Sequence, residues 1–127
     1  MRLLNPSKIA APAATYSHGV EIGPNARWLY VAGQVGTKPD GTIDSTIEGQ
    51  AEQAWLNVVA ILEGGGMSIK NLVKVTSFLT SSQDIPAYAK VRDQFLDDMR
   101  PATTMVVVQA LARPAFLIEV EATAAKD

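Results

Sequence analysis

The stretch TIEGQAEQAWLNVVAILEGGGMSIKNLVKVTSFL, Thr46–Leu79, decides the fold, because the period of its apolar residues changes once along it. From Thr46 they recur every three or four positions: Ile47, Ala51, Ala54 with Trp55, Val58, then Ile61 with Leu62. That spacing predicts one apolar stripe along a helix. Three glycines, Gly64–Gly66, follow directly and offer a left-handed position to end it. A phosphate-cradling loop would have to precede a helix rather than follow one. LVKVTSFL, Leu72–Leu79, is rich in β-branched and aromatic residues and reads as a strand.

Upstream, Tyr16–Ile22 (YSHGVEI) and Arg27–Val35 (RWLYVAGQV) read as two strands, and Gly23-Pro24-Asn25 between them predicts a hairpin. Pro39-Asp40-Gly41 marks a further β-turn. Downstream, Asp84 is placed to cap a second helix with Pro86 in its first turn. Its apolar face would be Ile85, Tyr88, Val91 with the stem of Arg92, Phe95 and Met99. TMVVVQAL and FLIEVEATA, joined through ARPA, close the chain as two strands. The expected order is β-β-α-β-α-β-β, an α+β domain over residues 1–127 with both helices on one face of a mixed sheet.

Two helices cover one side of such a sheet. Met105–Val108 is apolar on both alternating faces, so the second face is expected to bury area against another copy of the chain.

Composition narrows the chemistry. The 127 residues carry 11 basic and 13 acidic side chains, with no like-charged block that would suit nucleic acid or an anionic membrane. Without cysteine there is no disulfide, thiolate or cysteine-held zinc, and one histidine, His18, rules out a multi-histidine metal site. No apolar run approaches a membrane span, and MRLLNPSKIA lacks a signal-peptide core. A cytoplasmic protein without metal or membrane contact is expected.

Glu119 and Glu121, two apart on the last strand, share a face. They are either two solvated carboxylates or, in a cleft between copies, a general base or water-positioning group. Tyr16 and His18 share a face of the first strand, the tyrosine read as amphipathic packing and the histidine as a hydrogen-bonded structural imidazole rather than a catalyst. Gly33 and Gly36 in AGQVG allow either a bulge or a close backbone approach by a ligand.

Taken in order, these segments resemble the RidA (YjgF) family of reactive-intermediate deaminases, also called the endoribonuclease L-PSP family. APAATYSHGV is similar to its Pro-Tyr-Ser-Gln-Ala-Val opening, with Tyr16 on the tyrosine and His18 on the glutamine. YVAGQVG resembles its Ser-Gly-Gln strand end, with Ala32 in the serine's place and Gly33 on the glycine. QAEQAWLNVVAILEGGGMSIKNLVKVTSFL is similar almost throughout, and FLIEVEATA resembles the closing Ile-Glu-Ile-Glu-Ala strand.

The resemblance implies a chorismate-mutase-like fold, a homotrimer with small-molecule clefts between subunits, and hydrolysis of an enamine or imine to a 2-oxo acid and ammonia without a cofactor. It puts Glu119 at the water-positioning glutamate and Tyr16, Ala32, Gly33, Thr103, Thr104 and Met105 around the substrate. In the family's Pro-Ala-Arg-Ser/Thr motif an arginine clamps the substrate carboxylate, yet the motif here is Pro101-Ala102-Thr103-Thr104. Thr103 stands at the arginine position, Met105 where many members have cysteine, and the connector DDMR is short. Losing such a charge-assisted pair costs about 2–5 kcal/mol in a desolvated site. Arg100 and Arg113 are the candidates to replace it.

Three functions follow: an imine or enamine hydrolase whose substrate differs from, or is bound differently from, 2-aminoacrylate-type imines; a non-catalytic ligand-binding or chaperone-like trimer; and, third, a ribonuclease or translation inhibitor. The last lacks both an electrostatic footprint for RNA and a pair of acid-base imidazoles.

Overall fold

The long helix begins where its sequence says it should. In the structure, a computed structural model describing residues 1–127, Thr46 has extended dihedrals and its hydroxyl accepts from Gly49 N–H, the bond expected of an N-cap. Asp44 braces that cap by accepting from the backbone N–H and then the hydroxyl of Thr46, which holds its carboxyl below the usual range. Helix α1 runs Ile47–Gly64. It ends in a Schellman motif: Met67 N–H bonds Leu62 C=O at 2.8 Å and Gly66 N–H bonds Glu63 C=O at 2.9 Å. Of the three glycines only Gly66, with φ +70°, takes the left-handed position.

The strands are β1 (Arg2–Leu4), β2 (Gly19–Glu21), β3 (Arg27–Gln34), β4 (Leu72–Leu79), β5 (Ala102–Val107) and β6 (Ile118–Lys126), and α2 spans Ile85–Leu96. Four of them form a mixed sheet in the order β3-β6-β4-β5, with β4 and β5 parallel and the other pairs antiparallel. Leu29 and Val31 of β3, Val75 and Leu79 of β4, and Ile118, Val120 and Ala122 of β6 point to the side where α1 and α2 lie. There they pack with Trp55, Val58, Leu62, Tyr88 and Leu96, all fully buried. Both helices therefore cover one face of an α+β mixed sheet, as the periodicity predicts.

Three local expectations are corrected. Tyr16–Ile22 does not form a hairpin with Arg27–Val35. The Gly23 turn closes (Ala26 N–H to Gly23 C=O, 3.4 Å), but β2 pairs with β1, and β3 pairs with β6, 90 residues away. The turn residues set local geometry, whereas the partner of β3 is chosen by burying Leu29 and Val31 under α1. Asp84 sits at the start of α2 without a side-chain capping bond. The preceding 3-10 turn, capped by Ser81, already leads the chain into the helix. The expected strand Thr104–Leu111 stops at Val107. It is an edge strand whose Val106 and Val107 are 39% and 47% exposed, because no helix reaches over that end of the sheet.

One core polar group reads as apolar packing in the sequence. The Tyr88 hydroxyl is hydrogen-bonded to Ser77 Oγ and accepts from Trp55 Nε1–H at 3.2 Å. Burial pushes this phenol above its usual value.

Candidate active site

Strand alternation assigns the sheet's other face to Tyr30 of β3, Glu119, Glu121 and Thr123 of β6, Lys74, Thr76 and Phe78 of β4, and Thr104 of β5. No helix covers it, and Tyr30 is 76% exposed. Glu119 and Glu121 thus share the uncovered face, as their spacing predicts.

The position of Glu119 depends on a bulge. Val31 pairs with Ala122 and Gln34 with Val120, so Ala32 and Gly33 together oppose one residue of β6. The Glu119 side chain lies directly over Gly33. A Cβ on Gly33 would come within 2.8 Å of the Glu119 carboxyl carbon and closer still to Oε1. Only glycine leaves that space. Of the two readings of AGQVG, the bulge is what forms, and the Glu119 carboxylate lies over its glycine.

Around Glu119 lies an open cleft of about 400 Å³, lined by Gly33, Phe78, Val108, Leu111, Ala112 and Glu121 among others. Its rim is the loop between β5 and β6, which buried Gln50 ties to α1. The Gln50 amide donates to Asp44 C=O at 2.9 Å and Ala115 C=O at 2.8 Å, while its oxygen accepts from Leu117 N–H at 2.8 Å. Asn57 holds the loop after β3 in the same way, donating to Val35 and Thr37 carbonyls. The helix thereby positions both loops beside Glu119.

The other sequence candidates lie elsewhere in the chain. Thr103 pairs with Val75, and Met105 with Ser77, so both are turned to the helix side; Met105 packs at the margin of the core. Thr104 alone of the three shares the face of Glu119. Within a single chain Thr103 and Met105 therefore face away from Thr104, since neighbours on a strand project oppositely. Ser17 bridges to Ala102, which places Tyr16 beyond the β5 edge, three strand spacings or roughly 14 Å from β6. Within one chain Tyr16 and Glu119 stand at opposite sides of the sheet.

His18 is structural here: its Nε2–H donates to Ala10 C=O at 2.8 Å, and its ring meets Tyr16 edge-to-face at 5.6 Å. Neither arginine reaches the cleft in the single chain. Arg100 donates from Nη1 to the carbonyls of Asp97 and Met99, closing the end of α2. The Arg113 guanidinium lies 5.9 Å from the centre of the Phe116 ring. Two groups that sequence reasoning passed over, Phe78 and Lys74, do face the uncovered side. Their alternation with Thr76 in LVKVTSFL was the available signal.

Residues 7–126 match the sequence profile of the family described as Endoribonuclease L-PSP. This chain belongs to that family, the RidA/YjgF family. Its relatives include 2-iminobutanoate/2-iminopropanoate deaminase of Dermatophagoides farinae, 29% identical over 122 residues that cover 94% of this chain and 92% of the mite protein. Among solved structures, the Rid-family protein YyfB of Yersinia pestis superposes with a TM-score of 0.85 at 28% identity, covering 97% and 96% of the two chains. Escherichia coli TdcF, crystallised with bound serine, superposes at 0.76 with 26% identity and covers both chains fully.

Proposed function

We propose that this RidA-family protein is a cofactor-independent, cytoplasmic hydrolase of imines or enamines, working as a homotrimer with its sites between subunits. The observation that carries the reading is the Glu119 carboxylate seated on Gly33 at a bulge, in a cleft walled by apolar residues. A carboxylate there can accept a proton from water as the oxygen adds to the imine carbon. The carboxylic acid returns that proton to the imine nitrogen, giving a carbinolamine, and then relays the hydroxyl proton to the same nitrogen, so that ammonia leaves and the 2-oxo product remains. An enamine enters the same path after tautomerising to the imine. The deaminase named among the relatives supports this chemistry.

The trimer reading is supported by the division of the candidate residues. Ala32, Gly33 and Glu119 lie toward the β3–β6 side, whereas Tyr16, Thr103, Thr104 and Met105 lie along the β5 edge. A second copy seating its β5 edge beside this cleft would complete the substrate wall.

Thr103 where the family has arginine favours a substrate held without a guanidinium clamp. The same substitution is what favours the second reading, a ligand-binding trimer that has lost catalysis. The two separate in one assay. Imines are generated from several amino acids, and ammonia and oxo-acid release are measured for the wild type and Glu119→Gln. A fall in kcat of about 100-fold or more is expected. Turnover that survives the substitution would refute the role of Glu119. Saturable binding without any turnover would establish the binding protein instead.

A further inference from the structure

Tyr16 stands in a stretch with no helix or strand to hold it. Between β1, which ends at Leu4, and β2, which starts at Gly19, the chain makes one isolated bridge, Ser17 to Ala102. A side chain in such a segment is placed only as well as its neighbours are tied down, because no ladder limits the backbone there. The edge-to-face contact with His18 lies within the same segment and cannot fix it to the body of the protein.

Both neighbours of Tyr16 are tied. Ser17, almost fully buried, donates its N–H to Pro101 C=O at 3.2 Å, against the start of β5. Thr15 is held by α2, from residues far along the chain. Its hydroxyl donates to Asp93 Oδ1 at 2.7 Å and accepts from Arg92 Nη2 at 3.3 Å. Arg92 Nε donates to the same Asp93 oxygen at 3.0 Å, so the three groups close a ring of hydrogen bonds.

Arg92 is only 7% exposed. A guanidinium at that depth needs a counter-charge, and its neighbour Asp93 supplies one. Adjacent residues on a helix do not face each other, so this pair adds nothing to α2 by itself. It does present a fixed pair of charges to Thr15, with a charge-assisted bond on each side of the hydroxyl. In the opening motif quoted above, the residue before the tyrosine is proline, whose ring fixes φ. Here that place belongs to Thr15, and hydrogen bonds to α2 do the fixing.

We infer that Arg92, Asp93 and Thr15 are positioning residues for Tyr16. They set where its ring stands at the β5 edge, and through it the fit of the substrate wall that this edge offers to a neighbouring copy's Glu119 cleft. None of the three touches substrate. For the wall, this rests on the hydrolase reading above; for the placement of the ring, it rests on the geometry alone.

The test pairs kinetics with fluorine NMR of protein labelled with 3-fluorotyrosine. Tyr16, Tyr30 and Tyr88 give three resonances, and Tyr16→Phe assigns the first. Thr15→Val keeps the shape and removes the hydroxyl, Thr15→Ser keeps the hydroxyl, and Asp93→Ala removes the carboxylate. Thr15→Val and Asp93→Ala are each expected to shift or broaden the Tyr16 line while Tyr30 stays in place. On an imine substrate each should raise KM by about five- to tenfold with kcat within about twofold of the wild type. Thr15→Ser should restore both the line and KM. In a Tyr16→Ala background, Thr15→Val should move KM by less than about twofold, because its effect passes through the ring.

A merely structural tie gives a different pattern: a lower thermal midpoint with KM unmoved, or a Thr15→Val effect that persists without the Tyr16 ring. Either overturns the inference, and so does a Tyr16 line that fails to respond. Thr15→Val, the milder change, decides if Asp93→Ala does not fold. A wild type that turns over no imine defeats the hydrolase reading and the wall with it. An active wild type with an unresponsive Tyr16 defeats the positioning role alone.

Discussion

Gly33 and Glu119 form the pair on which the proposed chemistry turns, and the pair can be tested from the glycine side. Gly33→Ala adds one methyl group where the Glu119 carboxyl already lies. The carboxylate must rotate away, so kcat on an imine substrate should fall by about tenfold or more, with little change in thermal midpoint. An unchanged kcat would show that the seat does not matter. A second residue-scale prediction concerns Asp97, which ends α2 at φ 53° and ψ −116°, a conformation that suits glycine. Asp97→Gly should stabilise the chain by about 1 kcal/mol, read from denaturant midpoints. At this scale the sequence was half legible. Spacing put both glutamates on one face and offered a bulge at AGQVG, but nothing in it said that the bulge and Glu119 would meet. That contact joins residues 86 positions apart and depends on the register of β3 on β6. The face that Thr103 presents was not legible for a related reason: a motif names a position in the chain, whereas the face is decided by pairing with β4.

Between elements, Gln50 ties together the loops beside Glu119. It lies one turn into α1, almost fully buried, and satisfies three backbone groups of two loops. Gln50→Leu keeps the volume and strands all three, so a loss of about 2–4 kcal/mol is expected from chemical denaturation. The loop that bears Leu111 and Ala112 should loosen with it, and amide exchange at Leu117 should accelerate. A loss below about 1 kcal/mol would mean that water replaces the side chain. Both helices, the turn at Gly64–Gly66 and five of the six strands were legible, all but β1, because apolar period and cap chemistry are local. The β2–β3 hairpin was not, because turn residues favour a bend without choosing a partner. Gln50 itself falls on the apolar stripe, where a polar residue signals a buried tether, and that sign was there to be used.

The whole molecule leaves one sheet face without a helix, with Tyr30, Trp28 and Val106 at 76%, 45% and 39% exposure. If three copies close over this face, a charge placed on it should undo the assembly. Tyr30→Asp is expected to lower the sedimenting mass of a trimer to that of a 13.6 kDa chain and to abolish hydrolysis with it. The thermal midpoint of the wild type should rise with protein concentration, as linked folding and association require. A monomeric wild type with full activity would overturn the inter-subunit site.

By itself the sequence determined the elements, the side of the sheet that the helices cover, the face shared by Glu119 and Glu121, and the family resemblance. These follow from short-range periodicity, turn chemistry and motif spacing, which a chain carries wherever it folds. Only the tertiary structure decided that β3 lies on β6, that Gly33 makes room for Glu119, that Thr103 turns away while Thr104 meets Lys74, and that Tyr16 stands at the far edge. Each of these is a contact between distant residues. It is selected by the burial of Leu29, Val31, Val75 and Ile118 under two helices, a global quantity that no local pattern encodes.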